Sequence, residues 1–148
     1  MTATGDNMAT PLIVPDASVI LKWAFQSPDE QDSDKALELL GRWLGGNCSI
    51  ILPSLWLYEC GNVLGLKAPD SAAEIMDIFI GYRFDEVPIS PAIASATLKI
   101  MRDCKVTFYD AVYHVVAMNR GATLVTADAA YYRKTGQLGN MIMLDDFV

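Results

Sequence analysis

Four acidic residues stand where an α/β chain collects its chemistry. Asp16 follows the apolar run Leu12-Ile13-Val14 almost directly, and Asp128 lies two residues beyond a second run at 122–126. Asp110 comes three residues after Thr107, and Glu59 lies inside Leu55-Trp56-Leu57-Tyr58-Glu59-Cys60, an almost wholly apolar neighbourhood. Carboxylates can act as general acids or bases, as nucleophiles or as metal ligands. Two of them about 4 Å apart repel by roughly 4 kcal/mol at an effective dielectric of about 20, so four ionised groups in one empty site are implausible. If they converge, either some carry protons or a divalent cation accompanies them, and all-oxygen ligation selects the hard ions Mg²⁺ or Mn²⁺.

Each acid also has a purely structural reading. Asp16 and Asp128 precede helical segments, where Asp is a favoured N-cap. Thr107-Phe108-Tyr109-Asp110 matches a capping box, in which the acid reaches back to the cap's amide. Glu59 has no cation within one helical turn, so it needs a distant partner or an exposed position. His114 lies one turn beyond Asp110 and could share its face, but a lone histidine on an apolar helix is expected to be a packed or partly exposed side chain rather than a ligand or base. The cations Arg102, Lys105, Arg120, Arg133 and Lys134 cluster in the second half and are expected to be solvated surface rather than phosphate contacts. The chain has no GxSxG, GxxxxGK[ST] or GxGxxG, which argues against nucleophile-elbow hydrolases, P-loop nucleotidases and dinucleotide enzymes.

The elements that must position these groups alternate. Strands are predicted at 12–14, 49–52, 85–89, 122–126 and 141–144 from short β-branched runs. Helices are predicted at 17–26, at 34–44 with Leu37, Leu40 and Leu44 as the apolar stripe, at 54–66 with Ser54 as N-cap, and at 71–82. Three more follow at 90–102, with Ser90-Pro91 as cap and first residue, at 107–120, closed by Arg120-Gly121, and as a short turn at 129–133. The expectation is a single α/β domain, a parallel sheet flanked by helices on both faces, with ligands gathering at the strands' carboxyl ends. Residues 1–10, small and polar with a second Met at position 8, are expected to be a flexible leader, and 11–148 the domain. Gly61 and Gly65 form a GxxxG that is expected to allow close helix packing.

Composition narrows the class. The chain has 148 residues, 52% hydrophobic and 20% charged, with 11 Lys+Arg against 18 Asp+Glu and a net charge of −7. That excludes nucleic-acid binding by a broad basic surface, while the apolar fraction suffices for a core. There is neither a secretory signal pattern nor an apolar run long enough for a bilayer, so no membrane partner is expected and the cytoplasm is the expected compartment. Cys48, Cys60 and Cys104 fit no zinc or CxxC spacing and are expected to be reduced, mostly buried small hydrophobes.

Taken together, the motifs resemble a PIN domain of the VapC toxin type. Leu12-Ile13-Val14-Pro15-Asp16-Ala17-Ser18 is similar to that family's opening strand and first Asp. The stretch from Pro53 to Leu64, with Glu59 and Asn62, resembles its second motif. Thr107-Phe108-Tyr109-Asp110-Ala111-Val112-Tyr113 resembles its third, and Leu124-Val125-Thr126-Ala127-Asp128 its fourth. The order is kept over nearly the whole chain, and the departures, Pro15 and His114, remove no acid.

The resemblance implies a metal-dependent endoribonuclease whose catalytic acids are Asp16, Glu59, Asp110 and Asp128. It implies Asp16 and Asp110 as direct ligands of Mg²⁺, with Mn²⁺ as a substitute, and Glu59 and Asp128 acting through metal-bound water. Thr126 would orient a carboxylate or water; Ser18 would do likewise or satisfy the first helical turn. It further implies RNA as substrate, a 5′-phosphate product, a small cognate antitoxin as partner and a homodimer; Trp23, Trp43 and Trp56 would mark partner faces or, more commonly, core. Two other readings stand beside it: a non-catalytic PIN-like protein-binding module with the acids as caps, and a haloacid-dehalogenase-like phosphatase. The latter needs a second Asp two residues after Asp16, where this chain has Ser18.

Overall fold

A computed structural model describes residues 10–25 and 32–147, so nine of the ten leader residues lie outside the described part. Five strands form one parallel sheet: β1 (Leu12–Pro15), β2 (Ser49–Pro53), β3 (Asp85–Val87), β4 (Thr123–Thr126) and β5 (Met141–Met143), in the order β3-β2-β1-β4-β5. Successive strand residues face opposite ways, and Ile13 with Val14 and Leu124 with Val125 are all buried, so both faces of the central strands are covered. The covering helices are α1 (Ala17–Ile20), α2 (Ser33–Leu44), α3 (Trp56–Lys67), α4 (Ala72–Tyr82), α5 (Pro91–Cys104), α6 (Phe108–Arg120) and α7 (Ala129–Thr135). The long helix α6 packs across β1, β2 and β4, with α5 laid against it.

Several caps fall where the residue types place them. Ser90 accepts from the Ile93 N–H at 3.2 Å ahead of Pro91, and Thr107 accepts from the Asp110 N–H at 3.2 Å. Gly121 ends α6 with φ 64°, a conformation glycine adopts without a Cβ clash. Gly61 lets α3 approach α4, since a Cβ there would meet Met76 Cε at 3.2 Å; Gly65 faces open space.

Three local expectations need correction. The helix predicted over 17–26 is helical only to Ile20 and then tightens into a 3₁₀ turn, Leu21–Trp23. That turn aims the Trp23 indole inward, where Nε1 donates to the Ala36 carbonyl at 2.8 Å. Ser54 does not cap α3, because its N–H and its hydroxyl both donate to the Val87 carbonyl at 3.1 Å, extending the β2–β3 edge; the helix starts at Trp56. The buried stripe of α2 is Ala36, Leu39 and Leu40 with Trp43 packed beside it, while Leu44 is 65% exposed and Leu37 36%. The register turns because Trp43 closes on Phe84, with ring centroids 4.5 Å apart, and meets Tyr82 edge to face.

All three tryptophans join one aromatic cluster with Phe79, Tyr82 and Phe84. Trp56, 1% exposed, also donates from Nε1 to Glu86 Oε2 at 2.8 Å. Cys48 and Cys60 are buried free thiols, and Cys104 is only partly covered. Among the described residues no helix is long and apolar enough to cross a membrane. Replacing Trp56 by Ala removes the most deeply buried indole of the cluster and is expected to cost about 3–5 kcal/mol in urea unfolding, against a smaller loss for half-buried Trp43→Ala. Equal losses at the two sites would contradict this placement.

Candidate active site

The strand order sets the place of the site. Connectivity reverses between β1 and β4, which are neighbours, so a crevice opens at their carboxyl ends. Asp16 stands immediately after β1, with its N–H bonded to the Val125 carbonyl of β4 at 3.1 Å, and Asp128 stands just after β4.

Asp16 is only 8% exposed. Its Oδ1 accepts from the Ser18 N–H at 3.0 Å and from the Ser18 hydroxyl, so it also caps α1 as its residue type suggested. The Ser18 oxygen accepts in turn from the Ala127 N–H at 2.9 Å and lies 3.5 Å from Thr126 Oγ1, while Thr126 Oγ1 accepts from the Asp128 N–H at 3.1 Å. Ser18 and Thr126 therefore join the two strand ends and orient the first carboxylate. Burial pushes the Asp16 carboxyl up from 3.8 to about 7; bonds from Ser18 and Thr126 hold it down, and the nearby Asp110 charge adds to the rise.

Asp110 sits in the first turn of α6 and links the rest. Burial raises its carboxyl, and the charge of Asp128 raises it further, while Thr107 and Lys134 lower it. Its own charge acts on Asp16 and also on Glu59, which approaches from α3. Glu59 is raised by burial and held down by Tyr113, whose hydroxyl donates to Oε1 at 2.8 Å. The distant partner its apolar surroundings demanded is thus a phenol and not a cation. Asp128 Oδ1 accepts from the Tyr131 N–H at 3.0 Å and caps α7. A groove of about 310 Å³ opens over this corner, lined by Thr107, Asp110, Asp128 and Tyr131 and edged by Lys105 and Lys134.

Asp110 thus interacts through charge with each of the other three sequence-predicted acids. Among the described residues, no three His, Cys, Asp or Glu side chains are placed to hold a metal ion as a set. A Mg²⁺ ion does not need three, since it commonly takes one or two carboxylates and keeps water in its remaining positions. The oxygen-only donors and the raised carboxyls of Asp16, Glu59 and Asp110 fit such an ion.

His114 turns away from this pocket. Its Nε2 lies 2.7 Å from the Gly139 carbonyl, which can only accept, so Nε2 carries the proton and Nδ1 accepts from the Tyr131 hydroxyl at 2.9 Å. Burial holds its pKa below the usual value, and it is a packed, neutral side chain as expected. Tyr113 and Tyr131 escaped sequence reasoning because nothing but their hydroxyls distinguishes them from the apolar residues beside them. Lys105 and Lys134, expected to be mere surface, edge the groove.

A profile of the PIN domain matches residues 13–137. The structure resembles FitAcB from Neisseria gonorrhoeae (TM-score 0.66, 14% identity, covering 91% of this chain and 99% of that one). It also resembles a toxin-antitoxin complex from Klebsiella pneumoniae (TM-score 0.63, 15% identity, 89% and 97% covered). A third likeness is to VapC20 of Mycobacterium tuberculosis, described as a sarcin-ricin loop cleaving toxin (TM-score 0.63, 14% identity, 82% and 93% covered). At these identities the likeness is one of fold. No curated protein sequence matches the chain.

The raised Asp16 carboxyl has a consequence for stability. Its pKa is about 7 folded against an ordinary 3.8, so between those values the folded chain binds the extra proton and stability falls as pH rises. In metal-free buffer with EDTA, Asp16→Asn is expected to gain on the wild type from pH 4 to pH 8, by up to roughly 4 kcal/mol. A difference that stays constant across that window would show that Asp16 is not buried as described.

Proposed function

The chain belongs to the PIN domain family, and from that premise we propose that it is a divalent-metal-dependent endoribonuclease, the toxin of a toxin–antitoxin pair. The observation that carries this reading is that Asp110 lies near enough to Asp16, Glu59 and Asp128, which come from three other elements, to interact through charge with each of them. The description of VapC20 as a sarcin-ricin loop cleaving toxin supports the same direction. A small antitoxin as inhibitor, a homodimer as working form and cytoplasmic RNA as substrate belong to this reading.

In it, Asp16 and Asp110 would hold Mg²⁺, or Mn²⁺ in its place, and Glu59 and Asp128 would complete the acidic pocket. When bound, the ion supplies positive charge that polarises a scissile phosphate and lowers the pKa of water, leaving a 5′-phosphate on the product. The protein's part is to aim and to time its carboxylates. Ser18 and Thr126 fix the Asp16 oxygens, and Tyr113 fixes Glu59. Asp16 must lose its proton before it can ligate, so metal and proton compete for it.

Three measurements test the reading. Purified protein with Mg²⁺ is expected to cleave RNA internally, EDTA to abolish cleavage, and Asp110→Asn to reduce it by more than about 100-fold; full activity in that variant would sink the proposal. Because Asp16 titrates near 7, apparent Mg²⁺ affinity is expected to weaken by up to about tenfold for each pH unit below that point, and a flat profile between pH 5 and 7 would remove Asp16 from the ligand set. Expressed alone in cells, the wild type is expected to arrest growth and Asp16→Ala to relieve the arrest. Arrest indifferent to that change would favour a protein-binding module with the acids as caps.

A further inference from the structure

The groove beside the acids carries two cations that cannot serve as metal ligands. Lys105 and Lys134 edge it next to Thr107, Asp110 and Asp128. They come from different elements and are brought together by a bond from Lys134 Nζ to the Lys105 carbonyl at 3.1 Å, which ties the last turn of α7 to the end of α5. Lys105 is the residue that terminates α5, and it does so in the left-handed conformation, with φ 59° and ψ 52°. A residue with a Cβ adopts that conformation at a cost glycine does not bear, and glycine ends α6 at the equivalent point. Arg83 ends α4 in the same left-handed conformation, and at the end of α5 the residue that adopts it lines the groove.

The surrounding charge makes that placement informative. With a net charge of −7, the surface as a whole repels a polyanion, so a phosphate chain needs local cations wherever it must lie close. An ammonium is a compact point charge suited to phosphate oxygens. We infer that Lys105 and Lys134 form a phosphate-binding edge that seats the RNA backbone beside the acidic pocket, next to the bond to be cut. The inference rests on the nuclease reading above and assigns it a substrate-binding side: the strand runs along the α5–α7 edge of the groove.

The test compares Lys105→Gly, Lys134→Met and their double variant with Lys134→Arg and with Lys99→Met on the outer face of α5. Cleavage of a short single-stranded oligoribonucleotide of mixed sequence gives kcat and KM. Binding of the same strand by the inactive Asp16→Asn chain gives the salt dependence. The double variant is expected to raise KM about tenfold, with a much smaller change in kcat, and to lower the slope of log K against log salt by about 1.4, two phosphate contacts at about 0.7 each. Lys134→Arg is expected to restore KM, and Lys99→Met to move neither quantity. Lys105→Gly is expected to keep or raise Tm while it weakens RNA binding, a combination that a purely structural lysine would not give. Cleavage with KM and salt slope unchanged in the double variant would overturn this inference and leave the nuclease reading intact. Failure of the unmutated chain to bind or cleave RNA would overturn both.

Discussion

The cost of holding an ionisable carboxyl out of water at the end of β1 governs the rest of this structure. Asp16 is nearly inaccessible, and an ionised carboxylate there is costly unless it is bonded and compensated. The fold supplies an amide and two hydroxyls, from Ser18 and Thr126, which aim the group without neutralising it. It then adds Asp110, which makes ionisation harder still. A pocket built this way favours a positive charge, and below about pH 7 a proton on Asp16 supplies it. The arrangement stores that demand in the resting protein, and its rigidity keeps the carboxylates from relaxing apart.

That rigidity comes from where the acids are mounted. Asp16 and Asp128 follow adjacent central strands whose backbones are hydrogen-bonded to each other, so their spacing follows from β1–β4 pairing. Asp110 rides on α6, which lies across three strands, and the Tyr113 hydroxyl on that same helix fixes Glu59 from α3. The His114–Tyr131 bond joins α6 to α7, the helix capped by Asp128. The Asp16 and Glu59 carboxylates are therefore held to a neighbouring element by hydrogen bonds of their own, while the helices that carry Asp110 and follow Asp128 are tied to each other. The aromatic cluster of Trp23, Trp43 and Trp56 anchors α2, α3 and α4 from elsewhere in the core, so the polar corner is not asked to stabilise the fold.

How much of this the sequence disclosed follows from the range of the interactions. Strand runs such as Leu12-Ile13-Val14 and caps such as Ser90, Thr107 and Gly121 depend on near neighbours, and they stand where those neighbours indicate. The acids were legible because each ends a strand or lies alone among apolar residues. Ser54 was misread because its choice between capping α3 and bonding Val87 is made by a strand 33 positions away. The stripe of α2 turned because Trp43 answers to Tyr82 and Phe84, which no local periodicity contains. Tyr113, Tyr131 and the two groove lysines acquire meaning only from what lies across from them, so their roles could not be found along the chain.

The charge of the whole molecule acquires a different sense once the site is known. A strongly basic surface would hold RNA in many registers, most of them useless for cutting, whereas a chain at −7 disfavours contact nearly everywhere. The acidic pocket alone would repel phosphate as well. On the nuclease reading, a divalent ion in it would reverse the sign of the field at the point of cleavage, so ion and phosphate would each favour the other's binding, mutually by linkage. Lys105 and Lys134 then matter less as a source of overall affinity than as a means of choosing which edge of the groove the strand approaches. On that reading, acidic composition and a polyanionic substrate would be compatible because attraction would be confined to a metal-dependent spot with a short cationic edge, a confinement that would favour productive over idle binding.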